Sequence, residues 1–248
     1  MRAPQPVIFS AALFVSVASA AAGAETITAA RLGEPTTRYA HGVLGDAVEW
    51  GALEIDVDAS ASGSIAGAAV LRKTTYLVRL PLDHVFEDIA PRLVDVTGDG
   101  APEVIVVETD VNRGAALAIY SASGKLTETP HIGQTHRWLA PVGAADLDGD
   151  GRIEIAYIDR PHLLKRLRVW RYGARGLTHV ADLDGLSNHR IGWDFIAGGI
   201  RDCGQGPEMI TANADWSRVM ATGLAEGRLS TRAIGDYTGP ESLSIACQ

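Results

Sequence analysis

The residues of this 248-residue sequence best placed to do chemistry are carboxylates on alternating positions. Asp146, Asp148 and Asp150 precede Gly151, and Arg152 and Glu154 follow. Hard Ca²⁺ takes about six to eight oxygen ligands at flexible geometry, and carboxylates alternating along a glycine-folded turn supply them. The Arg152 carbonyl and the Glu154 carboxylate would add to the three aspartates. A second version holds Asp95, Asp99 and Glu103, with Thr97 where a carboxylate should stand, so weaker calcium binding is expected there. An EF-hand needs Glu at the twelfth loop position, where Tyr157 and Val106 stand instead, and its flanks would be helices. The competing account is a metal-free hairpin turn, in which Asp and Gly are favoured anyway.

The elements that position these loops repeat. Asp95–Glu103 recurs as Asp146–Glu154, 51 residues on, and a degraded copy runs through Arg201–Glu208 with its carboxylates mostly lost. A weaker first copy starts at Leu44-Gly45-Asp46 and reaches Glu54. Each copy leads into a short apolar strand, at Ile55, Val104, Ile155 and Met209. A second strand follows at 50-residue spacing from Gly67, Leu117, Leu167 and Ser217. Short β-branched strands between glycine turns, without a sustained helical period, predict an all-β protein. Repeats near 50 residues are the mark of propeller blades, which must stack to bury their faces. The expectation is a β-propeller of about four blades. Strands near Ile27 and at Ser242–Cys247 would close the ring, with a partial fifth blade as the alternative.

In a propeller, alternate loops fall on opposite faces. If the acidic turns take one face, the other collects Arg137, Trp138, Arg160, His162, Arg190 and Trp216, together with His41, His84, His189 and Trp193. Arg, His and Trp are side chains of carbohydrate, carboxylate or protein recognition. The same composition would arise if Trp and His filled blade interfaces or Arg packed on Trp. No nucleophile elbow, zinc-protease, P-loop or dinucleotide motif occurs, so no catalytic residue is assigned.

Residues 95–103 and 146–154, each leading into an apolar strand, resemble the FG-GAP/VCBS repeats of the integrin α-chain propeller and of bacterial secreted proteins. The resemblance implies that the acidic loop joins the first two strands of a blade and holds Ca²⁺. It implicates Asp146, Asp148, Asp150, Arg152 and Glu154. Both loops end in Glu where the family's calcium loops usually have Asp.

Residues 1–24 carry Arg2, an apolar stretch from Val7 and an Ala22-Gly23-Ala24 cleavage pattern, which reads as a secretory signal. The stretch is too short and Ala/Ser-rich to span a bilayer. Residues 25–248 would then be one propeller domain in the periplasm or outside the cell, its net charge moved from −8 to −9 by loss of Arg2. That acidity disfavours nucleic acid and anionic lipid as partners. Cys203 and Cys247, the only two cysteines, are expected to form a disulfide. The reading is a calcium-stabilised binding or scaffold module for a carbohydrate or envelope protein. A polysaccharide-cleaving enzyme with its site on the Arg/His/Trp face is the alternative.

Overall fold

A computed structural model describes residues 25–65 and 68–247. The expected signal segment 1–24 and part of the Gly67–Val70 strand lie outside them. The described chain is almost entirely strand. β1 (Glu25–Thr36), β2 (Glu49–Ile65) and β3 (Ala68–Arg79) form an N-terminal sheet. β4 (His84–Phe86), β5 (Arg92–Val94), β6 (Glu103–Asp110), β7 (Gly114–Ser121) and β8 (Gly124–Glu128) form a first blade. β9 (Leu139–Ala145), β10 (Glu154–Asp159), β11 (Arg166–Gly173) and β12 (Gly176–Asp184) form a second. β13 (Leu186–Ser187), β14 (Gly199–Asp202), β15 (Pro207–Asn213), β16 (Arg218–Ala225) and β17 (Arg228–Asp236) form a third. Every pairing is antiparallel, and each blade is an up-and-down meander.

Alternation of side chains explains the stacking. On β6, Ile105 and Val107 pack with Ile155, Tyr157 and Leu139 of the second blade. The intervening Val104 and Val106 pack with Leu53, Ile55 and Val57 of the N-terminal sheet. On β10, Ala156 and Ile158 likewise turn to Met209 and Leu224 of the third blade. Central strands β6 and β10 are buried on both faces and carry the continuous apolar stretches Val104–Val107 and Ile155–Ile158, whereas outer strand β17 is almost wholly exposed.

Three expectations need correction. Among the described residues three blades have four strand positions each, and the N-terminal unit has three strands, joined to the first blade in one sheet through Trp50 opposite Phe86. Ser242–Cys247 is not a closing strand: Pro240–Leu243 is a 3₁₀ turn, with the Ser242 hydroxyl accepting the Thr238 and Gly239 N–H groups. Proline at its start cannot donate to a ladder. Among the described residues β1 pairs with β2 alone, from Glu25 opposite Ala59 onward, and forms no ladder with the C-terminal segment. The Cys203–Cys247 disulfide is present, with a Cα–Cα distance of 5.6 Å. It ties the C-terminal tail to the β14–β15 turn of the third blade. Among the described residues, no helix is long and apolar enough to cross a membrane.

Candidate functional site

Strand direction decides which loops share a face. Glu154, at the start of β10, pairs with Ala145, whereas Asp159, at its end, pairs with Leu139. The acidic turn 146–153 therefore lies at one end of the blade, and Arg137, Trp138, Arg160 and His162 at the other. The innermost strands of the first and third blades are interrupted at this second end. Residues 87–91 separate β4 from β5, and residues 188–198 separate β13 from β14. The interruptions place polar groups in the interior: Glu87, Asp88, Asn188 and His189 are all buried. Asp88 Oδ2 accepts the Val107 N–H at 2.9 Å, replacing a ladder bond. Asn188 Nδ2 donates to the Pro141 carbonyl at 3.0 Å.

Between these interruptions lies a cavity of about 270 Å³. Arg137, Trp138, Arg160 and His162 line it, joined by His41 and Val43 from the β1–β2 connection, His136, Leu163 and Ile191. The β1–β2 connection is held there by the Gly192 N–H donated to the Val43 carbonyl at 3.2 Å. Trp138 is buried and donates Nε1–H to the Glu87 carbonyl at 2.8 Å, so it forms the floor and offers no stacking platform. His41 Nδ1 meets Glu87 Oε1 at 2.5 Å, and Thr109 donates to Glu87 Oε2 at 2.7 Å. Burial raises the Glu87 carboxyl above the usual carboxylate range, and the His41 bond opposes that rise. Nearby Glu49 is pushed up to about 9, first by burial and then by Glu87 and Asp46.

The hydrogen bonds fix the tautomers. His189 Nε2 reaches the Trp193 carbonyl at 3.0 Å, which only accepts, so His189 carries its proton there and Nδ1 is an acceptor. His162 Nε2, 2.9 Å from that Nδ1, must donate. His162 is lowered to about 4 by burial, with His189 and His41 adding to the fall, so its Nδ1 stays a neutral acceptor at pH 7. Arg160 is held by Asp159 at 2.7 Å. Arg137, by contrast, has no carboxylate partner among the described residues and bonds only the His136 carbonyl. His136 and Arg160 hold left-handed φ of 52° and 49°, conformations that cost about 1–3 kcal/mol each and persist where the surroundings impose them.

Arg190 and Trp216 do not line the cavity. The Arg190 guanidinium lies 4.6 Å from the Trp216 ring centroid and also covers Trp193 and Tyr237, forming a cation–π cluster beside it. Glu87 escaped the sequence reading. Its signal was an acid pair, Glu87-Asp88, inside an otherwise apolar strand-length segment.

At the opposite end the acidic turns satisfy their own backbone. Asp146 accepts the N–H groups of Gly149 at 2.8 Å, Asp150 at 3.0 Å and Gly151 at 2.9 Å. Asp146, Asp148 and Asp150 each bring one oxygen to within 4.8 Å of the others, and Asp148 Oδ1 is buried without a partner. These residues fit a hard cation. Arg152 uses its side chain on Asp150 Oδ2 and its N–H on Oδ1. Glu154 is fully buried, accepting the Leu147 N–H at 2.9 Å and the Arg171 guanidinium. Arg171, which pairs across the ladder with Glu154, also bonds Asp148 and was not picked out by the motif. In the other turn Asp95 accepts Gly98 and Gly100, Asp99 accepts Ala101, and Glu103 accepts Val96 and Thr97. Among the described residues, that turn gathers no group of three donor atoms.

Residues 95–157, from the first acidic turn through most of β10, match the FG-GAP-like repeat. The chain carries an FG-GAP-like repeat. Among solved structures it is similar to the exotype rhamnogalacturonan lyase YesX, at 16% identity and a TM-score of 0.42, over 78% of this chain and 42% of the lyase. The chain thus spans less than half the length of that protein. No curated protein matches it. The FG-GAP-like match covers the two acidic turns and Trp138, but stops short of Arg160 and His162.

Proposed function

We propose that this FG-GAP-repeat protein is an exported propeller module that binds an acidic sugar in the cavity formed by Arg137, Arg160 and His162, stabilised by calcium at Asp146, Asp148 and Asp150. The observation that carries the reading is Arg137, a guanidinium without a carboxylate partner at the mouth of a cavity. Beside it His162 supplies a neutral acceptor, while Leu163 and Ile191 give apolar edges. Guanidinium binds carboxylate in two parallel hydrogen bonds, a geometry lysine does not offer. The volume, about 270 Å³, is near the lower end of small-molecule sites, about 300 Å³ and up, which suits one sugar residue more than a protein face. Oxidised Cys203–Cys247 agrees with life in an oxidising compartment.

The test is binding of uronate oligosaccharides against neutral oligosaccharides of the same length, with Ca²⁺ and with chelator. The reading expects binding of the acidic series alone; equal binding of both series contradicts it.

A polysaccharide-cleaving enzyme is the second reading, favoured by one observation. His41 is oriented by Glu87, and a histidine held by a buried carboxylate is poised to take a proton. Release of unsaturated or reducing ends from an acidic polysaccharide, abolished by His41→Ala, would establish it.

A further inference from the structure

At the same end of the first blade, away from the cavity, is a second cluster that the acidic repeat does not explain. His84 on β4 stands opposite Asp110 at the end of β6, and His131 follows β8. One donor atom from each of His84, Asp110 and His131 lies within 4.8 Å of the others. Both imidazoles are oriented by their far nitrogens. His84 Nδ1 bonds Asp83 Oδ1 at 2.9 Å, and His131 Nδ1 donates to the Gly114 carbonyl at 2.7 Å. Gly114 has φ 77°, and a Cβ there would stand 2.3 Å from the Gln134 carbonyl oxygen, so this contact point is fixed by the backbone. Such outer hydrogen bonds set the tautomer of metal-binding histidines.

The inner nitrogens face carboxylates. His84 Nε2 is 3.8 Å from Asp110 Oδ2 and 4.0 Å from Glu108 Oε1. His131 Nε2 is buried without a hydrogen-bond partner, its side chain 5% exposed, and Glu128 Oε1 lies 3.5 Å away. Lys125 is spent on outer oxygens, holding Glu108 Oε2 at 2.7 Å and Glu128 Oε2 at 2.8 Å, whereas Arg113 Nε donates to Asp110 Oδ2 itself at 2.6 Å, so an ion at that oxygen must displace it. Asp83, Glu108, Asp110 and Glu128 thus face Arg113 and Lys125, an excess of negative charge around two imidazoles. Arg38 reaches only the His84 backbone carbonyl. In the second blade the 51-residue offset puts Pro161 where Asp110 stands, and Asp159, the counterpart of Glu108, is bonded by Arg160 and Arg168 at 2.7 and 2.9 Å, so the cluster is not a by-product of the repeat.

We infer that His84 Nε2, Asp110 Oδ2 and His131 Nε2 form a binding site for a divalent transition ion of the zinc class. Two imidazoles and a carboxylate select such an ion over Ca²⁺, and leave a fourth position for water. Tetrahedral zinc with bonds of about 2.0–2.1 Å sets its donors about 3.3–3.4 Å apart, so the cluster must close by about 1.5 Å at most. Arg113, more than half exposed, is free to give way.

The probe is Co²⁺ added to the mature protein freed of metal with chelator, followed by visible absorption and competition with Zn²⁺. The expected result is one Co²⁺ per chain with the absorption of a tetrahedral site. His84→Gln and His131→Gln should each weaken binding about a hundredfold or more, while His179→Gln, on the exposed face of β12, leaves it unchanged. A readout on the unmutated protein guards against variants that fail to fold: Zn²⁺ should shift the Nε2 resonances of His84 and His131 in ¹⁵N-imidazole spectra. Binding of equal strength in both histidine variants overturns the proposal. So does an unmutated spectrum in which His131 Nε2 stays protonated against Glu128 when Zn²⁺ is added.

Discussion

The two ends of each blade are built on different principles. At the acidic end, aspartates are exposed or half-buried and close short circuits with their own turn, as Asp146 does with Gly149, Asp150 and Gly151. At the opposite end, interrupted inner strands bury Glu87, Asp88, Asn188 and His189, and their partners come from distant segments: His41 to Glu87, Trp138 to the Glu87 carbonyl, His162 to His189. A self-closing turn can be copied from blade to blade because its bonds are local. A site assembled across blades cannot be copied, since each blade contributes a different part. Recurrence therefore marks what holds the blades, and breaks in recurrence mark what they present.

The largest expected effect is on the interior end. Trp138→Ala should cost about 3–5 kcal/mol in denaturant unfolding, because it empties a packed floor and strands the Glu87 carbonyl. Arg152→Ala, in the acidic turn, should stay within about 0.5 kcal/mol. Similar losses from both would erase the contrast.

Calcium sharpens it from the other side. An ion that binds only the folded chain stabilises by about 2.7 kcal/mol at a hundred times its dissociation constant. Thermal melting in Ca²⁺ should exceed that in chelator, and Asp148→Ala should abolish the difference. Equal melting temperatures in the two buffers would show that Arg171 already does the cation's work.

Glu49 gives a smaller effect with a definite sign. Its folded pKa lies near 9, above the ordinary value of 4.5, so the folded state holds a proton that the unfolded state has lost. Stability from this group is present below about pH 4.5 and is lost progressively as pH rises toward 9. Glu49→Gln removes that dependence and should raise stability at pH 8, with little change at pH 4. A gain of the same size at both pH values would show that burial does not tune this carboxyl.

Much of this was legible in the sequence, for a physical reason. Acidic turns, apolar strands and the 50-residue period depend on neighbours along the chain, so they announced the blades and the face carrying Arg137, Trp138, Arg160 and His162. The disulfide was legible from the count of cysteines alone. What depended on long-range company was not. Arg190 and Trp216 share the composition of the site, but pack on each other. Arg171 lies 17 residues beyond Glu154 and meets it only through strand register. Ser242–Cys247 was expected as a strand closing the ring, yet Pro240 and the Ser242 hydroxyl turn it into a 3₁₀ segment and tail.

The central claim is that an unpartnered Arg137 makes the cavity a carboxylate site, and titration calorimetry with a uronate oligosaccharide tests it most directly. Hydrogen bonds to charged groups are worth about 1.5–3 kcal/mol, so Arg137→Ala should weaken binding about tenfold to a hundredfold with the melting temperature unchanged. Affinity for the uronate that is the same in Arg137→Ala and in the unmutated protein would contradict the account.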